Sequence, residues 1–207
     1  MKRLWIFEFA LRKGHRSLSE QAEAALTSLI LNVFTESLRE MLATLSQLIA
    51  FGTWANSRIL ASLRSTARHH KKPLHLLAHL LVSERIWLLR LRGEDTSTIN
   101  KSPELSNAEC EDLANRNQLE YSAFLASLGE ADLNSPITYR NFKGTKFNTP
   151  IKEILMHVIL HGTYHRGQIA LAMRDDGDVP VDTDFITFVR EREVSKCYEG
   201  TKQDGID

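Results

Sequence analysis

Apolar residues recur at helical spacing along most of the chain. Between residues 17 and 63 they return every three or four positions, which is the period of an amphipathic α-helix. This stretch is too long for one ordinary globular helix, and Phe34-Thr35 and Gly52 offer break points. We therefore predict an N-terminal helix, followed by a first core helix that starts near Met41.

The second and third helices have distinct start and stop signals. Pro73 suits the first turn of a second helix, which ends at Gly93. Ser106 and Glu109 form a capping box that opens a third helix, and Gly129 follows its end. The buried side of the third helix is predicted to carry Leu113, Leu119, Phe124, Leu125 and Leu128.

The last third of the chain predicts a small hairpin and two more helices. Residues 137–147 alternate around Gly144, which indicates two short strands. Thr149 and Pro150 then supply an N-cap and a first-turn proline for a fourth helix that reaches residue 173. A last helix is expected from residue 182 or 183 to about residue 194. The expected architecture is therefore all-α, with a β-hairpin before the last core helix.

The chain is expected to form one core, because 207 residues suffice for a domain of ordinary size and an appendage. We divide it into a helical extension at 1–40, a helical bundle at 41–194 and a polar tail at 195–207. Lys plus Arg number 26, as do Asp plus Glu, so no overall positive field attracts nucleic acid. No apolar stretch approaches the roughly 18 residues of a membrane span, and Glu8 interrupts the apolar N-terminus. We predict a cytoplasmic protein that binds neither nucleic acid nor membrane.

Histidines stack along one face of the predicted fourth helix. His157, His161 and His165 follow at four-residue intervals, so they fall within an arc of roughly 80° that apolar residues share. Neutral imidazoles on an inward face need partners for both ring nitrogens, and a metal ion supplies one. A stable site needs a third ligand from another element. His79, on the apolar face of the second helix, is the best candidate, while His75 lies at the margin of that face.

Several segments together carry a resemblance to a known family. They are Trp54-Ala-Asn56, His79 with Trp87-Leu-Leu-Arg90-Leu91, and His161-x-x-x-His165-Arg166-Gly167-Gln168. On these residues the chain resembles the DinB/YfiT-like family over roughly residues 41–191.

The resemblance implies an up-down-down-up four-helix bundle with a metal centre of three histidines. Its ligands are then His79 from the second helix and His161 and His165 from the fourth. It also implies a homodimer, zinc or nickel as the one divalent metal ion, and a low-molecular-weight thiol as co-substrate in some relatives. This chain departs from the family in its first 40 residues and in the additional His75. The extension is a regulatory segment, an added helix or the product of a misplaced start codon.

Other residues around the predicted centre have several open roles. His157 is a fourth ligand, a hydrogen-bond partner of a ligand or a base that lines the cavity, and we favour the second role. Gln168 and Trp54 are predicted to line the pocket and to contact a bound cofactor, with simple core packing as the alternative for Trp54. Arg166 points about 100° away from His165, towards the surface or a pair with another helix. Gly167 is expected to permit a close approach between helices.

Two functions from different classes fit such a centre. The first is an enzyme in which a metal-activated thiol or water attacks a small electrophilic substrate, as in a thiol S-transferase or hydrolase. His157 or Glu84 is then the catalytic proton acceptor. The second is a non-catalytic, metal-stabilised bundle in a stress or damage response, which a saturated four-histidine shell favours. A third hypothesis, an effector that acts on damaged DNA, rests on the family name alone, and the neutral charge argues against it.

Overall fold

The computed structural model describes residues 16–65 and 70–203, and the side chains of residues 22–65 and 70–194. Five α-helices and one hairpin make up this part of the chain. The helices are α1 (Arg16–Ser65), α2 (Lys71–Leu91), α3 (Asn107–Ser127), α4 (Ile151–Asp175) and α5 (Phe185–Gln203). A 3-10 helix (Glu130–Asn134) precedes the antiparallel strands β1 (Pro136–Arg140) and β2 (Lys146–Pro150). The predicted helical fold with a small hairpin is confirmed. The predicted apolar N-terminus and the side chains of the predicted tail lie outside the described residues.

The first 50 described residues form one continuous helix, α1, so the predicted break near Met41 is wrong. Thr35 stays within the helix, and its hydroxyl donates a hydrogen bond to the Asn32 carbonyl at 3.0 Å. Gly52 faces Arg166 of α4, whose Nη1 would lie 3.8 Å from an added Cβ. A mid-helix glycine costs only about 1 kcal/mol, so packing of this kind keeps the helix intact.

The first part of α1 lies beyond the core. At 1.5 Å per residue α1 is about 75 Å long, whereas the 21 residues of α2 span only about 32 Å. Among the side chains that the structure describes, from residue 22 onwards, Leu38 is the first buried apolar residue of α1. Before it, six large apolar residues are 51% to 64% exposed; they are Leu26, Leu29, Ile30, Leu31, Val33 and Phe34. Among the described side chains, the buried core of α1 therefore begins at Leu38.

Contacts between side chains fix the directions of α2 and α3. The Asn117 amide donates to the Leu81 carbonyl at 2.9 Å, and the Tyr121 hydroxyl donates to the Glu84 carbonyl at 2.8 Å. Because the residue numbers rise together on both helices, α2 and α3 run parallel.

Helices α1 and α4 run in the opposite direction to α2. Leu45 packs in the same cluster as Leu88, whereas Leu63 packs with Leu77, so the residue numbers of α1 and α2 run against each other. The hydrogen bond from Asn56 of α1 to Glu84 of α2 lies between these two contacts. The contacts of α4 show the same reversal, as described below. The bundle therefore has the up-down-down-up arrangement.

Local signals set most helix ends as expected. Gly93, at φ 76°, follows the end of α2, and the capping box between Ser106 and Glu109 opens α3. Leu119 is 71% exposed, so its predicted burial is wrong. The buried face of α3 is centred on Asn117 and Tyr121, and Leu119 lies about 200° around the helix from Asn117.

The hairpin leads directly into α4. Thr149 pairs with Ile137 inside the sheet, so its predicted role as helix N-cap is wrong. Pro150 ends β2 and takes the cap position without a side-chain hydrogen bond, because the strand continues up to the first turn of the helix. Before α5, the Asp182 carboxylate accepts from the Thr187 hydroxyl at 2.7 Å. No helix in the described ranges is both long and apolar enough to cross a membrane.

Candidate metal centre

Three histidines meet where α2 and α4 cross. His79 of α2 faces His161 and His165 of α4, with ring centroids 5.9 Å and 4.8 Å away, respectively. One ring nitrogen from each of the three lies within 4.8 Å of the others. The four-residue spacing on α4 puts its two histidines on one face, and antiparallel packing brings α2 against that face.

The loop between α2 and α3 orients His79. Its Nδ1 lies 2.7 Å from the Lys101 carbonyl oxygen and 3.4 Å from the Ser102 hydroxyl. A carbonyl oxygen accepts only, so Nδ1 carries the hydrogen and Nε2 keeps its lone pair. This is the arrangement by which an outer hydrogen bond fixes the tautomer of a metal-binding histidine.

The two histidines of α4 in this group, His161 and His165, have lowered pKa values. Their Nε2 atoms lie 3.1 Å apart. Burial, reinforced by the neighbouring histidines, lowers the pKa of His161 to about 4, and burial together with His79 lowers the pKa of His165. Both rings are therefore neutral near pH 7, and two lone pairs face each other unless a proton or a cation lies between them. A divalent ion fits this donor set, since imidazole nitrogens suit zinc and nickel.

His157 lies one turn along α4 from the three-histidine group and is not part of it. Its ring is exposed, 5.5 Å from His161 and 4.8 Å from Trp87 of α2. Burial and then Arg90 lower its pKa. The contact with Trp87 shows that α2 and α4 run antiparallel, because His79 meets the later His165. His157 thus lies at the edge of the centre.

Comparison with known proteins shows which family this chain belongs to. The model of the DinB family matches residues 41–196. The chain belongs to the DinB family. Protein DinB of Bacillus subtilis (strain 168) is 28% identical over 156 residues, which are 67% of this chain and 90% of that protein. A crystal structure of a DinB-like protein from Bacillus cereus ATCC 10987 aligns with a TM-score of 0.46 and 16% identity, over 65% of this chain and 94% of that one.

Gln168 and the remaining histidines take different places in this DinB-family chain. Gln168 is half-buried beside His165, whose pKa it raises against the effect of burial, so it does return to the face of the centre. His75 pairs with Glu104, 3.2 Å from its Nδ1, and lies outside the group. His70 is buried with Nδ1 3.1 Å from Asp176 and Nε2 2.6 Å from Asp178.

Glu84 does not meet the three histidines. It is five positions after His79, about 140° around α2, and points into the bundle. Its carboxylate accepts from the Asn56 amide at 2.9 Å and lies 3.4 Å from the Asn117 amide, on the wall of a cavity of about 30 Å³. Burial raises its pKa, which Asn56 and Arg166 partly oppose.

Trp54 also lies elsewhere. It packs against Phe51 and Phe188, and its indole N–H donates to Glu191 of α5 at 2.9 Å. The guanidinium of Arg58 lies over its ring at 4.9 Å. Trp54 therefore joins α1 to α5, and the structure does not bring it to the histidines.

Arg166 joins the metal-binding helix to the core. It is only 5% exposed, and it donates to the Asn56 side chain at 3.3 Å and to the Thr163 hydroxyl at 3.2 Å. Arg166 was predicted to point either to the surface or to a partner on another helix, and the structure shows the second arrangement. The expected close approach at Gly167 is wrong, because nothing lies within 4 Å of a Cβ added there. Gly162 instead leaves room for a side chain of its own helix: its added Cβ would lie 2.9 Å from Arg166 Nη1.

Sequence reasoning missed the residues that surround the centre. Lys101 and Ser102 contact His79 from a loop whose sequence has no metal-binding signal. Tyr139 of the hairpin packs on Trp87, with ring centroids 5.2 Å apart. The alternation in β1 identified a hairpin, but no local pattern indicates which helices a hairpin contacts.

Proposed function

We propose that this protein is a metal-dependent enzyme that uses one zinc or nickel ion, held by His79, His161 and His165. The observation that supports this most is the convergence of three imidazole nitrogens within 4.8 Å, two of them only 3.1 Å apart. All three rings are half-buried, so a small molecule has access to the centre. A divalent ion with three histidine ligands and an open position lowers the pKa of a bound water or thiol to near neutrality.

The protein's own residues supply orientation and a proton acceptor. Lys101 and Ser102 hold His79 in one tautomer, and Gln168 lies against His165. His157 is the residue that we assign as proton acceptor, because it is exposed and one turn from His161. The substrate is a small electrophile, and the reaction is transfer of a low-molecular-weight thiol or hydrolysis. A homodimer in the cytoplasm, with a bundle at residues 41–194, completes the proposal.

One observation favours the alternative, a metal-stabilised bundle without catalysis. Glu84, the other predicted proton acceptor, lies in the buried polar cluster with Asn56 and Arg166 rather than at the centre. Of the two predicted proton acceptors, His157 alone then lies beside the centre. A titration distinguishes the two functions: cobalt-substituted protein is mixed with L-cysteine or glutathione. New intense charge-transfer bands indicate thiol coordination at an open position, whereas an unchanged spectrum with both thiols favours the structural function.

The metal site itself is tested with five single variants. His79→Ala, His161→Ala and His165→Ala are expected to lose most of the bound metal after purification in zinc or nickel, because two ligands hold an ion far less tightly than three. His70→Ala and His75→Ala are matched controls, since both side chains pair with carboxylates outside the group. Metal is measured by elemental analysis and folding by circular dichroism. Equal metal loss in all five folded variants would contradict the assignment.

A further inference from the structure

Arg90 carries a positive charge that is buried near the candidate metal centre. The residue is 5% exposed, and burial lowers the pKa of its guanidinium. No carboxylate among the described residues forms an ion pair with it, whereas Arg85 of the same helix and Arg92 just after its end both pair with Glu120. Buried charges are ordinarily paired, so an unpaired guanidinium here calls for an explanation.

Aromatic rings hold this guanidinium without using its hydrogen-bond donors. Its Cζ lies 4.7 Å from the centroid of Trp87 and 5.2 Å from those of Tyr139 and Phe142. The Nε donates to the Thr96 hydroxyl at 3.1 Å. Ring faces attract a cation but accept no N–H in the plane of the guanidinium. Among the described residues, the Nη1 and Nη2 atoms of Arg90 have no hydrogen-bond partner. These two nitrogens form the outer fork of the guanidinium, which is therefore available to a ligand.

The fork lies on the same side of α2 as the metal ligand His79. Arg90 comes eleven residues after His79, close to three full turns, so both are on one face. The Arg90 guanidinium lies over Trp87, one turn back towards His79, and Trp87 contacts His157. One loop borders both ends of this face, because Thr96 bonds Arg90 and the Lys101 carbonyl bonds His79.

A second cation lies at the same rim. The Lys101 ammonium is 4.7 Å from the centroid of Phe142, the ring that also contacts the Arg90 guanidinium. Two positive side chains thus flank one aromatic ring of the hairpin. A divalent cation alone does not explain a pair of positive side chains there.

We propose that Arg90, assisted by Lys101, binds the carboxylate of a flat, unsaturated or aromatic small-molecule substrate whose reactive end reaches the three histidines. This inference rests on the proposed function, because it names the substrate class of the same site. A carboxylate matches the planar guanidinium fork through two parallel hydrogen bonds. The rings of Trp87, Tyr139 and Phe142 favour a flat ligand over a branched one.

The test uses benzoate and its uncharged isostere benzamide as probes. Isothermal titration is performed on the full chain, metal-free and zinc-loaded. Benzoate is expected to bind at least about tenfold more tightly than benzamide, because one charge-assisted hydrogen bond gives an affinity ratio of that size. Arg90→Met should reduce benzoate affinity to the level of benzamide, and Arg90→Lys should fall between, since it keeps the charge without the fork.

Control variants separate anion binding from general stacking. Arg192→Met also removes a guanidinium from an aromatic ring, Phe188 at 5.6 Å, but on α5, and should leave benzoate affinity unchanged. Lys101→Met changes an exposed side chain and should weaken benzoate binding even if Arg90→Met fails to fold. Equal affinity for benzoate and benzamide in the wild-type chain, or no saturable benzoate binding, would overturn the inference and leave Arg90 as a stacking residue. If the protein holds no zinc while benzoate still binds through Arg90, the proposed function fails, and of this inference only the carboxylate-binding role of Arg90 stands.

Discussion

Replacing Gly162 by alanine tests whether the buried polar cluster holds the metal-binding helix in place. Gly162 follows His161, and an added Cβ would lie 2.9 Å from Nη1 of Arg166 and 3.5 Å from its Cζ and Nη2. Carbon and nitrogen do not approach so closely without repulsion, so either the guanidinium or the helix must move. Both movements disturb the residues next to the two ligands of α4.

In Gly162→Ala, the stability lost through the contacts of Arg166 is expected to exceed the stability gained from the higher helix propensity of alanine. Alanine in a helix interior is favoured over glycine by about 1 kcal/mol. Against this, the Arg166 guanidinium would give up its hydrogen bonds to Asn56 and Thr163, each worth about 1 kcal/mol. It would also move relative to Glu84, whose charge favours the charged guanidinium, and this adds to the cost. A partial shift gives a net destabilisation of about 1–3 kcal/mol.

Gly167→Ala is the matched control. Gly167 is exposed on the same helix, and nothing lies within 4 Å of its added Cβ, so only the helix propensity changes. We expect this variant to gain about 0.5–1 kcal/mol. The free energy of unfolding is measured by urea titration of metal-free protein, and zinc affinity by competition with a chelator. Gly162→Ala should lose both stability and zinc affinity. If the two variants are equally stabilised, Arg166 moves freely and the cluster does not position α4.

Three further predictions test the domain boundary, the proton acceptor and the pH response. A chain that starts at Met41 should fold and bind zinc like the full chain, because Leu38 is the one buried side chain that this removes among the described residues before position 41; loss of the circular dichroism signal or of zinc would place the extension in the core. His157→Ala should keep its metal and lose roughly 10²- to 10⁴-fold in turnover once a substrate is known, whereas loss of metal would make His157 a ligand. The folded pKa of His161, about 4, lies below its ordinary value of 6.5, so the unfolded chain binds this proton first as pH falls. Metal-free protein should therefore be stable above pH 6.5 and lose stability towards pH 4 in urea titrations, with a smaller loss in His161→Ala; an unchanged slope would contradict a neutral, buried His161.

Sequence periodicity was sufficient to predict which three histidines meet, because two of them form a local pattern on one helix. The four-residue spacing of His161 and His165 places both rings on one face, whatever packs opposite. The capping box at Ser106 and the glycine stop at Gly93 are equally local, and the structure confirms both.

The errors share one physical cause, which is that a periodic pattern does not say what lies opposite each face. Gly162 and Gly167 occupy the same helix five positions apart, and only the position of Arg166 distinguishes them. Glu84 shares α2 with His79, yet 140° of rotation sends it to α1 and α3 instead of α4. Gly52 was predicted as a helix break because its contact, Arg166, is more than a hundred positions later and is not visible in the local pattern.

The adjacent residues His165 and Arg166 couple two environments through one helix. A rotation of about 100° per residue directs the imidazole to the half-buried centre and the guanidinium to the buried cluster with Asn56 and Glu84. Any rotation of α4 that would turn both imidazoles away from His79 must also break hydrogen bonds inside the core, where water does not replace them. The positions of His161 and His165 relative to α2 are thus set by the buried contacts behind them.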